Sequence, residues 1–178
     1  MGVRASRGLP LHLGYGNVRS TLSVDGAAYR DGIDAATEQE YQRLIEYAST
    51  LQHAPIAVDA QLGIAIFGSE LIALSLARAL AIQLARTLSP QTNWVQVQGA
   101  LGDEQWVSHL PHRVLRAADS TDLVDGPHAR ASIQWGQLGA DSPTTSICVV
   151  SNEEQVPSGH RIVIRAIGQT IAIVGHPD

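Results

Sequence analysis

The residues that could bind phosphate lie in the stretch GIAIFGSELIALSLARALAIQL, residues 63–84. A short apolar run ends at Gly68, and a long helical pattern begins at Ser69 or Glu70. A working phosphate loop has the pattern G-x-x-x-x-G-K-[ST], in which the Lys neutralises phosphate charge and the hydroxyl binds magnesium. Here no second Gly and no Lys follow Gly68. The stretch therefore predicts a strand, a turn and a helix without phosphate-binding chemistry.

Glu70 also opposes phosphate binding at this turn. A carboxylate at a helix N-terminus competes with an anion for the positive end of the helix dipole. We therefore predict no cofactor, and we regard Gly68, Ser69 and Glu70 as the position of a degenerate phosphate loop. A nucleotide could bind here only if an arginine such as Arg78 or Arg113 replaced the missing Lys.

Other short motifs also lack the spacing that their chemistry requires. Gly14 and Gly16 are followed by no third Gly and no helix, so they fail the dinucleotide fingerprint and predict a turn between two short strands. Asp119, Asp122 and Asp125 lie in a Ser- and Gly-rich stretch without the pattern of a calcium loop, which is typical of solvated loop charge. The segment GQLGADSP lacks the G-x-S-x-G turn of serine hydrolases. We therefore predict no catalytic residue.

The histidines do not form a metal site in the sequence. His109 and His112 are three residues apart, but Pro111 disrupts the helix on which they could share a metal, and no third ligand is near. We expect Trp106, Leu110, Pro111 and His112 to serve in packing or capping. The other histidines are near turns and are expected to be exposed: His12, His53, His128, His160 and His176.

Composition limits the class of protein. The chain has 178 residues, 44% of them hydrophobic, and a net charge of -5 with no Lys. Because neutralising nucleic-acid phosphates requires clustered positive charge, we expect no direct nucleic-acid partner. Cys148 is the single cysteine, so we expect a buried, reduced thiol. The apolar stretch 71–88 contains Arg78 and Arg86, and the N-terminus lacks an apolar signal region, so we expect a soluble, intracellular chain.

Hydrophobic periodicity predicts two main helices. The first is expected over residues 37–51, with Asp34 or Thr37 as its cap. Its apolar face has five residues at helical spacing: Tyr41, Leu44, Ile45, Ala48 and Leu51. The second is expected from residue 69 or 70 to 88, and because most of its circumference is apolar, we expect it to be covered on more than one side.

The strands and their order predict the fold class. Strands are expected over residues 55–60, 62–68, 93–98, 145–151, 161–166 and 169–174. A hairpin is predicted at Ile167-Gly168, and residues 117–144 are expected to be the least ordered stretch. This order indicates a three-layer α/β domain with an antiparallel C-terminal edge. We place that single domain at 11–174, between a flexible lead-in at 1–10 and a tail at 175–178.

Four segments resemble, in their order, the FtsK/SpoIIIE-type ATPases of type VII secretion (the EssC/EccC group): LHLGYGNV, APIAVDAQLGIAIFGSELIALSLARALAIQLARTLSP, WVSHLPHRVLRA and ICVVSNEEQVPSGHRIVIRA. The short motifs that carry the likeness contain Gly14, Gly16, Trp106, Leu110, Pro111, His112 and Pro157. In that family this region has an ATPase-like (Rossmann/RecA-like) central sheet and precedes the ATPase modules. The sequence departs from the family at His109, where the family has a second Trp. Residues 113–144 are too short and polar for the family's next helix and Asp-bearing strand, so we expect neither.

The resemblance implies a non-catalytic, ATPase-like domain that couples a membrane stalk to the motor modules of a protein-secretion ATPase. The implied partners are the other domains of the same translocase, further copies in a ring, and membrane components of the secretion system. The implied location is the cytoplasm, at the inner face of the cell membrane, to which the rest of the protein attaches the domain. The alternative is a regulatory nucleotide-binding domain of an FtsK-like DNA translocase.

Overall fold

A computed structural model of the chain describes residues 8–20, 34–101, 105–115, 129–140, 142–168 and 170–175. The chain divides into two compact units, one formed by Met1–Leu11 with Val58–Asp178 and the other by His12–Ala57. The expectation of a single domain over residues 11–174 stays a prediction. Asp119, Asp122 and Asp125 lie outside the described residues, as do His128 and His176.

The smaller unit contains most of a two-stranded sheet. Strand β1 (Pro10–Arg19) pairs with strand β2 (Thr50–Asp59). The prediction of a turn at Gly14 and Gly16 is wrong, because both glycines lie inside the continuous strand β1. A Cβ at Gly16 would lie 2.8 Å from Cδ1 of Ile56, so the missing side chain makes room for a close neighbour, a known role of glycine in strands.

Helix α1 (Ala35–Ala48) of the smaller unit begins at a side-chain cap. The carboxylate of Asp34 accepts a hydrogen bond from the backbone N–H of Thr37 at 2.8 Å, and this bond holds the pKa of Asp34 below its usual value of 3.8. The predicted apolar face of α1 is only partly covered by the rest of the chain, because no residue of α1 is buried and Leu44 is 60% exposed. The helix ends earlier than expected, and Leu51 belongs to β2.

In the described residues, the larger unit contains a seven-stranded sheet with the order β5-β4-β6-β7-β3-β8-β9. Its elements along the chain are β3 (Ile64–Gly68), α2 (Glu70–Thr87), β4 (Asn93–Gly99), α3 (Gln105–Ser108), β5 (Arg113–Leu115), β6 (Ala131–Gln137), β7 (Pro143–Val149), β8 (Ile162–Ile167) and β9 (Thr170–Gly175). Strands β7, β3 and β8 are parallel, whereas β9 is antiparallel to β8. The α/β class, the C-terminal hairpin and its antiparallel edge are therefore confirmed.

Strand β6 was not expected, because it lies in the stretch predicted to be least ordered. It is antiparallel to both neighbours, β4 and β7. Its apolar residues Ile133 and Trp135 alternate with Ser132 and Gln134, and all four are buried. A strand with both faces covered buries its polar side chains too. The polar composition of residues 117–144 therefore indicated a loop although the segment contains an interior strand.

Helix α2 packs one face on the sheet, against β3, β6, β7 and β8. Its buried residues share that face: Ala73, Ala77, Leu80, Ala81 and Leu84. The prediction that α2 is covered on more than one side is wrong, because Leu71 is 77% exposed and Ile82 is 44% exposed. The small alanines bring the helix close to the sheet, while the opposite apolar side chains remain at the surface.

The interior strand β3 is buried on both faces over residues 64–67, as an interior parallel strand should be. On one face Ala65 and Phe67 join Cys148 and Val150 in a cluster against which Val156 packs. Side chains alternate along a strand, so Ile64 and Ile66 point to the opposite face. The expectation of a buried Cys148 thiol is confirmed.

Truncating a buried side chain of α2 should cost far more than truncating an exposed one. We expect Leu84→Ala to reduce the free energy of unfolding by about 2–5 kcal/mol, because a cavity forms in the core. Leu71→Ala, the same change at an exposed position, should alter it by less than about 0.5 kcal/mol. Urea unfolding monitored by circular dichroism measures both, and equal losses would contradict one-sided packing of α2.

Candidate functional site

The turn between β3 and α2 is held against strand β8. The backbone N–H of Ser69 donates a hydrogen bond to the carbonyl oxygen of Ala166 at 3.0 Å. Gly68 has a φ of +122°, and a Cβ at this position would collide with the same carbonyl oxygen. Ser69 is the N-cap residue of α2, but its side chain makes no capping hydrogen bond. The structure therefore places Gly68, Ser69 and Glu70 together at the carboxyl end of β3.

An arginine that the sequence analysis did not select lies at this turn. Nη1 of Arg130 is 2.7 Å from Oε2 of Glu70, and Nε of Arg130 donates a hydrogen bond to Oγ of Ser151 at 2.7 Å. Arg130 immediately precedes β6 and Ser151 follows β7. Because β6 is antiparallel to β7, the start of β6 and the end of β7 meet at the edge of the sheet where α2 begins.

The backbone of Arg130 is fixed from two sides. Its N–H donates to the carbonyl oxygen of Val149 at 2.8 Å, and its carbonyl oxygen accepts from the N–H of Ala100 at 3.0 Å. These bonds join the residue to β7 and to the chain that leaves β4. The guanidinium is therefore positioned by the sheet, although its side chain is about half exposed.

The two arginines proposed from the sequence as substitutes for the missing Lys do not lie at the turn. Arg78 is on α2, eight residues after Glu70, which corresponds to about 12 Å along the helix axis. Arg113 begins β5, and three strands separate β5 from β3. The prediction named the wrong arginines, because the start of the unexpected strand β6 brings Arg130 to the site.

The charges at the turn neutralise one another. The carboxylate of Glu70 lies in the first turn of α2, where negative charge is favoured by the helix dipole, and it is paired with the guanidinium of Arg130. A phosphate would have to displace this carboxylate from both the arginine and the helix end. Strand β6 carries no acidic residue. In the described part of the chain, no group of three or more His, Cys, Asp or Glu side chains could hold a metal ion.

The residues of the WVSHLPH segment lie at the other end of α2. His112 is buried, and its Nε2 is 3.0 Å from the carbonyl oxygen of Leu88, the residue that ends the helix. The ring of His112 meets that of Trp135 edge-on, with 4.8 Å between centroids. Trp106 and Leu110 are half-buried, whereas His109 and Pro111 are exposed. The arrangement matches a packing and capping role for His112 and places it far from the turn.

The remaining motif residues do not join this site. Pro157 is half-buried, and its carbonyl oxygen accepts a hydrogen bond from the N–H of His160 at 3.0 Å, just before β8. Gly14 and Gly16 belong to the smaller unit. His160 is buried, so the prediction that it is exposed is wrong, and its Nε2 lies 3.3 Å from Oγ of Ser146. Sequence reasoning missed this pair because no motif links the two residues.

Comparisons with known proteins leave the family open. No protein-family model matches the chain, and no curated protein matches it. In the ranges that the structure describes, no helix is long and apolar enough to cross a membrane. The likeness to secretion ATPases therefore stays a hypothesis that rests on the order of the sequence motifs.

Alanine at Gly68 should destabilise the fold more than alanine at Gly139. Both glycines have positive φ, +122° and +88°, but a Cβ at Gly139 meets no atom within 4 Å. Unfavourable backbone conformation alone costs about 1–3 kcal/mol, and Gly68→Ala adds a collision with the Ala166 carbonyl. Chemical denaturation of both variants measures the difference. Similar losses of unfolding free energy in the two variants would show that the turn does not depend on close contact with β8.

The ion pair at the turn should make only a small contribution to stability. Both side chains are about half exposed, so we expect a coupling of about 0.2–1 kcal/mol between Glu70→Ala and Arg130→Ala in a double-mutant cycle. High salt should reduce the coupling, because exposed charges are screened. Urea unfolding of the wild type, the two single variants and the double variant gives this value. A coupling of several kcal/mol would contradict the solvent-exposed pairing.

Proposed function

We propose that this chain is a non-catalytic, ATPase-like domain of an FtsK/SpoIIIE-family translocation ATPase. In this role it couples a membrane stalk to the motor modules during type VII protein secretion. One observation carries the proposal: Glu70, not a phosphate-binding Lys, occupies the turn after the central strand and is paired with Arg130. In this proposal the Gly68 turn corresponds to the position of a nucleotide site, and the Glu70–Arg130 pair already neutralises its charge.

The placement of β3 supports the ATPase-like part of the proposal. This strand lies between parallel neighbours β7 and β8, and a long helix follows its carboxyl end. In open α/β sheets, ligands bind outside the carboxyl ends of the strands, where helix N-termini favour anions. The Gly68 turn lies at that position. A sheet of this kind with an inactive turn is what the resemblance to the secretion ATPases predicts.

The chemistry needed for ATP hydrolysis is missing from the turn. Phosphoryl transfer requires a cation on the phosphates, a bound magnesium ion and a residue that orients the attacking group. The guanidinium of Arg130, which lies at the turn, is bound to Glu70 and Ser151. Strand β6, which follows the WVSHLPH segment along the chain, has the sequence ASIQWGQ and carries no Asp. We therefore propose that the domain transmits force or position without hydrolysing nucleotide.

The proposed partners are the neighbouring domains of the same translocase, further copies in a ring, and membrane components of the secretion system. The proposed location is the cytoplasmic face of the cell membrane. Leu71, one residue beyond Glu70 and largely exposed, provides an apolar contact beside the turn for a neighbouring module. The net charge of -5 opposes direct contact with nucleic acid.

Arg130 gives some support to a second function, a regulatory nucleotide-binding domain of an FtsK-like DNA translocase. If Glu70 were displaced, the guanidinium would lie beside the N-terminus of α2 and could bind a phosphate. This state requires a rearrangement of the ion pair. The two functions therefore differ in whether nucleotide binds the folded chain.

Nucleotide should leave the thermal unfolding of the wild-type chain unchanged. A ligand present at a hundredfold excess over its Kd stabilises the folded state by about 2.7 kcal/mol, so millimolar Mg-ATP or Mg-ADP would reveal Kd values near 10 μM and shift the midpoint by several degrees. We expect no shift and no ATP turnover. Glu70→Gln and Arg130→Ala serve as variants in the same assay. A shift in the wild type that Arg130→Ala abolishes would favour the regulatory function instead.

A further inference from the structure

A small cavity of about 200 Å³ lies at the end of the sheet where β3, β7 and β8 begin, opposite the end that carries the Glu70 turn. It is lined by the segment before β3, the start of β7 and the turn before β8, and therefore lies at the amino ends of these parallel strands. His160 is the one ionisable side chain among the described residues that line it, which otherwise carry hydroxyl, amide or apolar groups. Such a lining favours a small, uncharged ligand.

Two chemically complementary side chains meet in the wall of this cavity. Oγ of Ser146 and Nε2 of His160 are 3.3 Å apart, and the two residues are 8% and 9% exposed. A serine hydroxyl within reach of an imidazole is the arrangement that activates serine as a nucleophile, and the distance is often somewhat long before substrate binds. Both residues lie where a ligand in the cavity can contact them.

The backbone holds His160 in this position. Its N–H donates to the carbonyl oxygen of Pro157 at 3.0 Å, and the next N–H, that of Arg161, donates to the carbonyl oxygen of Leu62 at 2.8 Å. Gly63 has a φ of +69°, and a Cβ there would lie 3.1 Å from Cα and 3.3 Å from Cδ2 of His160. The missing side chain of Gly63 therefore lets the turn that carries His160 approach closely, and the nearest atom, the carbonyl oxygen of Gly159, would lie 2.9 Å from such a Cβ.

Ser146 is equally fixed, because it lies inside β7. It is paired across the sheet with Gln134 of β6, and the next residue, Ile147, is paired with Ile64 of β3. The preceding residue, Thr145, donates its hydroxyl hydrogen bond to the carbonyl oxygen of Ala60. The hydroxyl of Ser146 is thus presented to the cavity by a strand in the middle of the sheet, and sites on strands hold their geometry better than sites on loops.

We propose that Ser146 is a nucleophile that cleaves small, uncharged carboxylic esters, with His160 as its general base. The Ser146 oxygen bonds to the ester carbonyl carbon while its proton moves to Nε2 of His160. The ester C–O bond then breaks, and the departing alcohol takes that proton. Water next attacks the acyl-serine and gives a proton to His160, which returns it to Ser146 as the carboxylic acid leaves. The balance is ester plus water to acid plus alcohol.

This activity does not depend on the proposed role in secretion, in which the domain is non-catalytic in the sense that it does not hydrolyse nucleotide. The cavity lies at the amino ends of β3, β7 and β8, whereas the Glu70 turn lies at the carboxyl end of β3. Nucleotide binding at the turn and acylation of Ser146 can therefore be measured separately in the same preparation. The volume of about 200 Å³ admits only a short acyl group.

Treatment of the whole chain with a small fluorophosphonate ester tests the proposal directly. We expect one covalent adduct, which tryptic mass spectrometry should place on Ser146. The adduct should be absent from Ser146→Ala and retained in Ser75→Ala, which removes an exposed serine hydroxyl on α2, outside the cavity. His160→Gln should slow the labelling at least about a hundredfold, the usual contribution of a general base. Circular dichroism establishes that each variant is folded.

Hydrolysis of p-nitrophenyl acetate provides the second readout. We expect turnover by the wild type and by Ser75→Ala, and none above background by Ser146→Ala. If the wild-type chain carries no adduct on Ser146, the proposal is overturned, whatever the state of the variants. It is equally overturned if His160→Gln is labelled as fast as the wild type, because the serine would then react without the imidazole.

Discussion

The burial of residues 64–67 of β3 on both faces is the constraint on which the larger unit depends. The side chains on both faces of this segment are buried, so the chain must supply a cover on each side. On one side Phe67 joins Cys148 and Val150, and on the other α2 lies across the sheet. For α2 to cover the strand from which it emerges, the chain must turn sharply at the end of β3. Gly68 permits that turn against the backbone of Ala166, which explains why the helix begins where a nucleotide site would have its phosphate loop.

The same geometry explains why the turn contains an ion pair. A helix N-terminus at the edge of a sheet attracts negative charge, and Glu70 supplies it from within the helix. Arg130 reaches Glu70 because β6 runs antiparallel to β7 and so begins at the edge where β3 ends. The pair is half exposed and contributes little to stability. Its effect on function is larger in our account, since it gives both the helix end and the Arg130 guanidinium a partner within the chain.

Much of this architecture could be predicted from the sequence, and the failures have physical causes. The strand-turn-helix at residues 62–88 was predictable because a continuous apolar strand and a long helical pattern meet at a glycine. Strand β6 was missed because Ser132 and Gln134 resemble solvated loop residues, whereas here they are buried between other strands. Arg130 was missed with it, since only the strand brings it to Glu70. The pairing of Ser146 with His160 joins a residue of β7 to the turn before β8, and no local pattern could reveal it.

The central claim is that Glu70 and Arg130 close the turn to nucleotides, and backbone amide NMR tests it most directly. Titration of the 15N-labelled chain with Mg-ATP to millimolar concentration would report on the amides of Ser69, Glu70 and Leu71 individually. Our account predicts that these three resonances of the wild-type chain do not move, whether Mg-ATP or Mg-ADP is added. Saturable, nucleotide-dependent shifts confined to these amides and to Arg130 would contradict it and would identify the turn as a working site.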